Sequence, residues 1–136
     1  MRQLLRPALI AAALAAAAPA SAPAASGGFQ SPSGNIGCYV SPSGARCDIA
    51  RHDWATPAEP AGCDLDFGGG LAVGKKGRGG FFCAGDTTLH AGPALPYGSS
   101  RSAGRFTCTS RSSGMTCRNR RNGHGFTLSR QHAKRF

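Results

Sequence analysis

Basic side chains are concentrated in the C-terminal part of the chain and are its clearest candidates for chemistry. Residues 101–136 contain nine Arg or Lys and no Asp or Glu. Guanidinium groups bind phosphate or sulfate through paired hydrogen bonds, so a cluster of them predicts an anion-binding surface. A basic surface that only keeps the protein soluble is the alternative. The candidates that fall around two predicted turns are Arg111, Arg118, Arg120 and Arg121.

The expected partner of this surface is an anionic polymer of the cell envelope or the extracellular medium, such as a phosphorylated wall polymer, anionic phospholipid or DNA. Surfaces that bind nucleic acid usually interleave aromatic residues with the charge, and Tyr39 and Tyr97 lie far from the arginines in sequence. Nucleic acid is therefore the weaker of these partners. The sequence indicates no oligomeric state.

His124 and Asp86 are the polar residues that an enzyme would use. His124 lies between two glycines, where its imidazole could act as an acid or base, or simply bond a loop carbonyl. With Asp86 and Ser129 it would complete a hydrolytic triad, and with His90 and a lysine it would cleave RNA. No nucleophile elbow or other local pattern accompanies either set. A small hydrolase or nuclease using His124 is therefore an alternative to the favoured non-enzymatic module, and no catalytic residue is assigned.

Neither a metal nor a cofactor is predicted. The cysteines include no C-x2-4-C pair of the kind that structural zinc sites use. Asp64 and Asp66 alternate along a predicted strand and could ligate calcium with Asp86, but the simpler expectation is that they face solvent. The glycine-rich segment 68–80 lacks the spacing of a phosphate-binding P-loop.

The N-terminal residues 1–24 are typical of a helical signal peptide. Arg2 and Arg6 precede an apolar run of mostly Ala and Leu at 8–18, and A-x-A cleavage patterns follow. The run is shorter than the roughly 20 residues that a membrane-spanning helix needs. We expect export, cleavage between about residues 20 and 26, and no membrane span in the mature chain. Residues 25–136 would then be one secreted domain with 14 basic and 6 acidic residues, a net charge of +8.

Two segments share the pattern C-x4-S-G-x2-C, residues 36–49 and 105–118. Apolar residues alternate on both sides of the Ser-Gly turn in each copy, which predicts two related β-hairpins. If Val40 opposes Ala45, the two cysteines of each copy lie opposite one another, close enough for a disulfide once the hairpin twists. Six cysteines in an exported chain indicate three disulfides, and exchange of partners between the hairpins is the alternative pairing. The pairs predicted from this register and by elimination are Cys38–Cys47, Cys108–Cys117 and Cys63–Cys83.

The remaining strands complete an all-β prediction. Asn122-Gly123 indicates a type I′ turn, which would extend the second hairpin into a three-stranded meander over 105–130. Two alternating apolar runs within 63–73 predict further strands, and the linker 52–62 is expected to be a loop pinned by Trp54. About seven strands joined by short turns predict a small disulfide-stapled sandwich or open barrel of hairpins.

Five short segments carry a resemblance to a known family. They are Phe29–Cys38, Arg46–Ile49, Cys83–Thr87, Leu95–Gly98 and Gly123–Arg130. In these segments the sequence resembles a family of small exported six-cysteine proteins of high-GC Gram-positive bacteria, catalogued as a domain of unknown function. The resemblance implies export, three disulfides and a small domain over 29–136. It implies no activity and does not account for residues 118–121. A protein-interaction or inhibitor module is a further alternative function.

Overall fold

Alternation of apolar and polar residues builds two antiparallel sheets. The computed structural model describes residues 7–15 and 25–136, and over these ranges it contains ten strands and no helix. The strands are β1 (Gly27–Gln30), β2 (Ile36–Ser41), β3 (Gly44–Ile49), β4 (Asp66–Gly74), β5 (Gly80–Ala84), β6 (Ser100–Ala103), β7 (Phe106–Arg111), β8 (Gly114–Asn119), β9 (Gly125–Leu128) and β10 (Ala133–Arg135). The first sheet has the order β1-β2-β3-β4-β5 and the second the order β10-β9-β8-β7-β6, so within each sheet every strand pairs with its neighbours in sequence. The predicted all-β, disulfide-stapled sandwich is confirmed.

Most of the predicted signal peptide, residues 1–6 and 16–24, lies outside the described residues. Residues 7–15 form neither helix nor strand, so the helix expected over the N-terminal segment is absent from this stretch. An isolated helix confined to residues 7–15 would be too short to be stable in water without tertiary packing. In the ranges that the structure describes, no helix is long and apolar enough to cross a membrane.

The strand count exceeds the prediction of about seven. The three additional strands, β1, β6 and β10, lie at sheet edges. Each contributes one apolar residue to the core, so none has the alternation of apolar and polar residues that predicts a strand. Of the two runs predicted within 63–73, the end of the first and all of the second form one strand, β4, whereas Cys63 and Leu65 lie in the loop before it. The register of β4 against β5 shifts between Phe67 and Leu71. Gly68 has a φ of 82° at this bulge, a backbone conformation that glycine adopts without strain.

The two related hairpins have the predicted register, in which the cysteines of each copy are direct partners. Their Cα atoms are 4.1 Å apart in the first copy and 4.0 Å apart in the second. The third disulfide attaches the loop before β4 to β5. Exchange of partners between the hairpins does not occur. The three disulfides are those predicted: Cys38–Cys47, Cys63–Cys83 and Cys108–Cys117.

The core lies between the two sheets and includes both hairpin disulfides, whose cysteines are fully buried. Phe29, Phe106 and Phe126 are its largest side chains. Trp54 packs against this core, as predicted for the linker after β3. Its indole N–H donates to the carbonyl oxygen of Ser129, 3.0 Å away, which ties the linker to the end of β9.

The turn between β8 and β9 differs from the predicted type I′ turn. That turn requires positive φ at both central residues. Gly123 has a φ of 78°, whereas Asn122 does not have a positive φ. The backbone N–H of Asn119 donates to the carbonyl oxygen of His124 over 2.8 Å, so residues 120–123 form a four-residue turn.

Candidate functional site

The outer face of the second sheet brings together three of the four predicted anion-binding arginines. Every second side chain of β7 and β8 is buried, so the intervening ones point to solvent. These outward side chains and the residue just beyond β8 border a depression of about 320 Å³. We call this surface the Arg–Thr face, and its members are Thr107, Thr109, Arg111, Thr116, Arg118 and Arg120.

Two arginines of the Arg–Thr face are positioned by neighbouring groups. Arg120 donates to the hydroxyl of Thr107 and to the carbonyl oxygen of Gly104. The guanidinium of Arg118 lies over the ring of Phe136, 5.1 Å from its centre. Both side chains remain exposed, so they can still reach an anion in solution.

The charge of the Arg–Thr face is not neutralised by the protein itself. Among the described residues, ion pairs involve only Arg46 and Arg130, and neither lies on this face. Hydroxyl pairs 2.7–2.8 Å long fix the threonines, and each pair retains a free proton and lone pairs for a ligand. These pairs are Ser102–Thr107, Ser100–Thr109 and Thr116–Thr127.

Arg121 does not line the Arg–Thr face. It lies in the β8–β9 turn, where its backbone N–H donates to Asn119 Oδ1 over 3.0 Å. The threonines of the face were not among the residues predicted from sequence, although the alternation of Thr107 and Thr109 with buried residues could have revealed them. The anion-binding role of the arginines stays a prediction.

Asp86 belongs to a charged cluster on the first sheet. Its Oδ1 is 2.8 Å from Nη1 of Arg46, whose Nε is 3.1 Å from Oδ2 of Asp48. The hydrogen bond and charge of Arg46 lower the pKa of Asp86. Burial of Arg46 alone would lower its pKa. Its hydrogen bonds to the carboxylates of Asp86 and Asp48 outweigh this effect, so the pKa of Arg46 is raised. Since Asp48 also accepts the backbone N–H of Thr88 at 2.9 Å, the cluster fastens the segment after β5 to β3.

The structure does not assemble the catalytic triad considered from sequence. The carboxylate of Asp86 is held by Arg46, and the hydroxyl of Ser129 accepts the backbone N–H of His132 at 3.0 Å. The backbone N–H of His124 donates to the side chain of Asn122 over 3.0 Å, and within the described chain no hydrogen bond involves its ring. The three candidate residues therefore have separate environments.

Acidic side chains do not gather into a metal site. Over residues 7–15 and 25–136, no three His, Cys, Asp or Glu side chains lie together as possible ligands. The calcium set of Asp64, Asp66 and Asp86 is therefore not formed. The glycine-rich segment 68–80 instead builds the bulge of β4, the turn to β5 and the first residue of β5.

A second concavity lies at one end of the sandwich, where the β1–β2 turn meets the β7–β8 turn. This end groove has a volume of about 600 Å³. Its lining comes from residues 31, 33–36, 50–51, 110–112, 114–115 and 129–131, with His90 and Tyr97 from the connection between the sheets. His90, considered above as a partner of His124, thus lies at a different site. Six parts of the chain that are distant in sequence form the groove, so no local sequence pattern predicts it.

Ser110 is the unusual polar residue of the end groove. Its side chain is on the inner face of β7, and the residue is only 1% exposed. Of the side chains that the structure describes, its hydroxyl is the only buried polar group without a hydrogen-bond partner. Buried hydroxyls are nearly always hydrogen-bonded, because leaving one unpaired destabilises the fold.

Comparison with known proteins gives a family and no activity. The profile of one family matches residues 8–136, nearly the whole chain. No curated protein and no solved structure matches significantly. Three disulfides are typical of proteins that fold in an oxidising compartment, which indicates an extracellular or secreted protein. The resemblance inferred from the sequence is confirmed, and the chain belongs to a family of unknown function (DUF6636).

Proposed function

We propose that this protein is a secreted, non-enzymatic module that binds an anionic polymer of the cell envelope or the extracellular medium through the Arg–Thr face. One observation carries the proposal. Three arginines border a single depression, and none of them pairs with a carboxylate of the described residues. Fixed threonine hydroxyls beside the arginines add hydrogen-bond donors that suit phosphate or sulfate oxygens.

The spacing of the charges favours an extended ligand. Arg118 is paired directly with Thr107, and Arg111 lies four residues farther along β7. At roughly 3.3 Å per residue, Arg111 and Arg118 are about 13 Å apart along the strands. A single small anion could contact both side chains only if the two arginines bent toward one another. A chain that carries repeated negative groups can contact both while it lies along the strands.

A phosphorylated or sulfated polymer suits this face better than nucleic acid does. Proteins that bind single strands stack the bases on exposed aromatic rings. The aromatic ring beside the Arg–Thr face, Phe136, lies under the guanidinium of Arg118. The face therefore offers guanidinium and hydroxyl groups to a backbone of anions, with no open ring for a base.

The proposal is tested by retention on immobilised heparin and on isolated cell-wall material, eluted with a salt gradient. The test variant replaces Arg111, Arg118 and Arg120 with serine. Each arginine that neutralises one anionic group contributes through counterion release, so we expect about 100-fold weaker binding at roughly 0.1 M salt. The native protein should elute at clearly higher salt than this variant.

A charge-matched variant provides the control. Replacing Lys75, Lys76 and Arg121 with serine removes three positive charges outside the Arg–Thr face. This control should elute near the native protein. Equal losses in both triple variants would show that net charge alone causes retention and would contradict the proposal, as would unchanged retention of the Arg–Thr variant.

A further inference from the structure

The end groove is a separate concavity from the depression of the Arg–Thr face, although Arg111 borders both. We propose that it binds a sugar acid, meaning a hexose-sized ring that carries a carboxylate or a phosphate. Its volume of about 600 Å³ falls within the range of about 300–1,000 Å³ found for small-ligand sites.

The unpaired hydroxyl of Ser110 is a hydrogen-bonding group that a ligand in the end groove could satisfy. The backbone groups of Ser110 already have hydrogen-bond partners. Its N–H donates to the carbonyl oxygen of Ser99 over 2.9 Å, and its carbonyl oxygen accepts the backbone N–H of Gly98 over 2.7 Å. Its cross-strand neighbour Met115 is apolar and buried. Ser110 also lines the end groove and its Oγ is buried there, so a polar group of the ligand would become its partner once the side chain turns toward the groove.

The charge around the end groove selects an anion. Arg51 and Arg111 are exposed on its lining, and no Asp or Glu of the described residues lines it. A third arginine, Arg130, has its Nε 3.5 Å from a carboxylate oxygen of Asp53 and is partly neutralised. Two unpaired guanidinium groups therefore face this space and can bind a carboxylate or phosphate.

The other lining groups suit the body of a sugar. Tyr97 is 55% exposed and presents an aromatic ring, on which the C–H face of a sugar ring can pack. Ser33 and Ser112 add exposed hydroxyl groups. A plain inorganic anion would use the arginines alone, whereas a sugar acid also uses the ring, the exposed hydroxyls and the buried hydroxyl of Ser110.

The test is a titration of the oxidised protein followed by amide chemical shifts and by calorimetry. The probes are glucuronate, glucose 6-phosphate, glucose and inorganic phosphate. We expect at least one of the two sugar acids to bind more tightly than both glucose and phosphate. The shifts should be largest in residues 31–35, 97–98 and 110–114.

Two variants distinguish a ligand role of Ser110 from a structural one. Ser110→Ala should weaken binding of the sugar acid about five- to tenfold, the effect of losing one hydrogen bond. It should leave thermal stability unchanged or raise it, because it removes an unsatisfied buried group. Ser113→Ala, an exposed serine of the same turn outside the groove, is the matched control and should change neither quantity.

Tyr97→Ala tests the same site without altering the core. It should weaken binding of the sugar acid about tenfold, which is the order found for removing a stacked ring. The assignment is overturned if neither sugar acid binds, if inorganic phosphate binds as tightly as both, or if the shifts lie outside the end groove. It is also overturned if Tyr97→Ala, or a folded Ser110→Ala, leaves the affinity unchanged. None of these outcomes depends on whether the Arg–Thr face binds polymers.

Discussion

The sulfur atoms of Cys47 and Cys117 lie 3.7 Å apart, so the disulfides of the two hairpins contact one another across the sandwich. One belongs to the first sheet and the other to the second. All four cysteines involved are fully buried. The repeated cysteine pattern therefore stabilises each hairpin and also fills the centre of a core that has few large apolar side chains.

Loss of the first hairpin disulfide should be costly because it removes both a crosslink and part of the core. Replacing Cys38 and Cys47 with alanine should lower the free energy of unfolding by about 2–5 kcal/mol. The comparison variant replaces Cys63 and Cys83 with alanine. These cysteines are less buried, and their disulfide closes a larger ring of the chain. Urea denaturation of the oxidised variants should show the greater loss for the core pair. Chain entropy alone predicts the reverse order.

The contact between sulfurs should allow disulfide exchange once one cysteine is missing. Cys38→Ala leaves the thiol of Cys47 beside the sulfur of Cys117. Attack of the thiolate would form a Cys47–Cys117 bond and release Cys108 as a free thiol. Peptide mapping by mass spectrometry after incubation at mildly alkaline pH should detect this bond. Recovery of only the original Cys108–Cys117 pair would contradict the expectation.

The ion pair of Asp86 should make stability depend on acidic pH. The folded-state pKa of Asp86 lies below its ordinary value of 3.8, because Arg46 binds the carboxylate. The stabilisation is therefore fully present above that value and is lost as the pH falls through the folded-state pKa. Asp86→Asn should have a lower Tm at pH 7 and a smaller decrease in Tm between neutral and strongly acidic pH. Parallel Tm curves for both proteins would exclude a role for this pair.

Close backbone contact should make Gly70 intolerant of a side chain. A Cβ added there would be 1.9 Å from the carbonyl oxygen of Cys47, whereas one added at Gly69 would find only Asp48 Oδ1, at 3.9 Å. Gly70→Ala should lower the free energy of unfolding by about 1–3 kcal/mol, the cost of overpacking. Gly69→Ala should change it by less than about 0.5 kcal/mol. Similar denaturation midpoints for both variants would contradict this packing.

His124 should be dispensable for binding to the Arg–Thr face, which it does not line. We expect His124→Ala to keep the native retention on heparin and cell-wall material. The same variant tests the enzymatic alternative, because purified protein can be screened on RNA, peptidoglycan and ester substrates. An activity that the native protein has and His124→Ala lacks would contradict a purely binding role.

The sequence predicts features that depend on neighbouring residues. The register of both hairpins and their two disulfides follow from alternation and cysteine spacing, because each hairpin pairs residues close in the chain. The pair Cys63–Cys83 then follows by elimination. Features that depend on distant residues are missed. Arg46 and Asp86 are 40 positions apart, and the end groove joins Ser33, Tyr97 and Ser110 from separate segments. The edge strands β1, β6 and β10 are not predicted because each adds only one apolar residue to the core.

The pairing of every strand with its neighbours in sequence has a consequence for how the chain folds. All ladders of the first sheet lie within residues 27–84, and all those of the second within residues 100–135. No strand must wait for a partner from the other half, so the cost of closing long loops is small in each sheet. As the chain enters an oxidising compartment, the first sheet and its two disulfides can form before the second sheet does. Contact between the two sheets then completes the core.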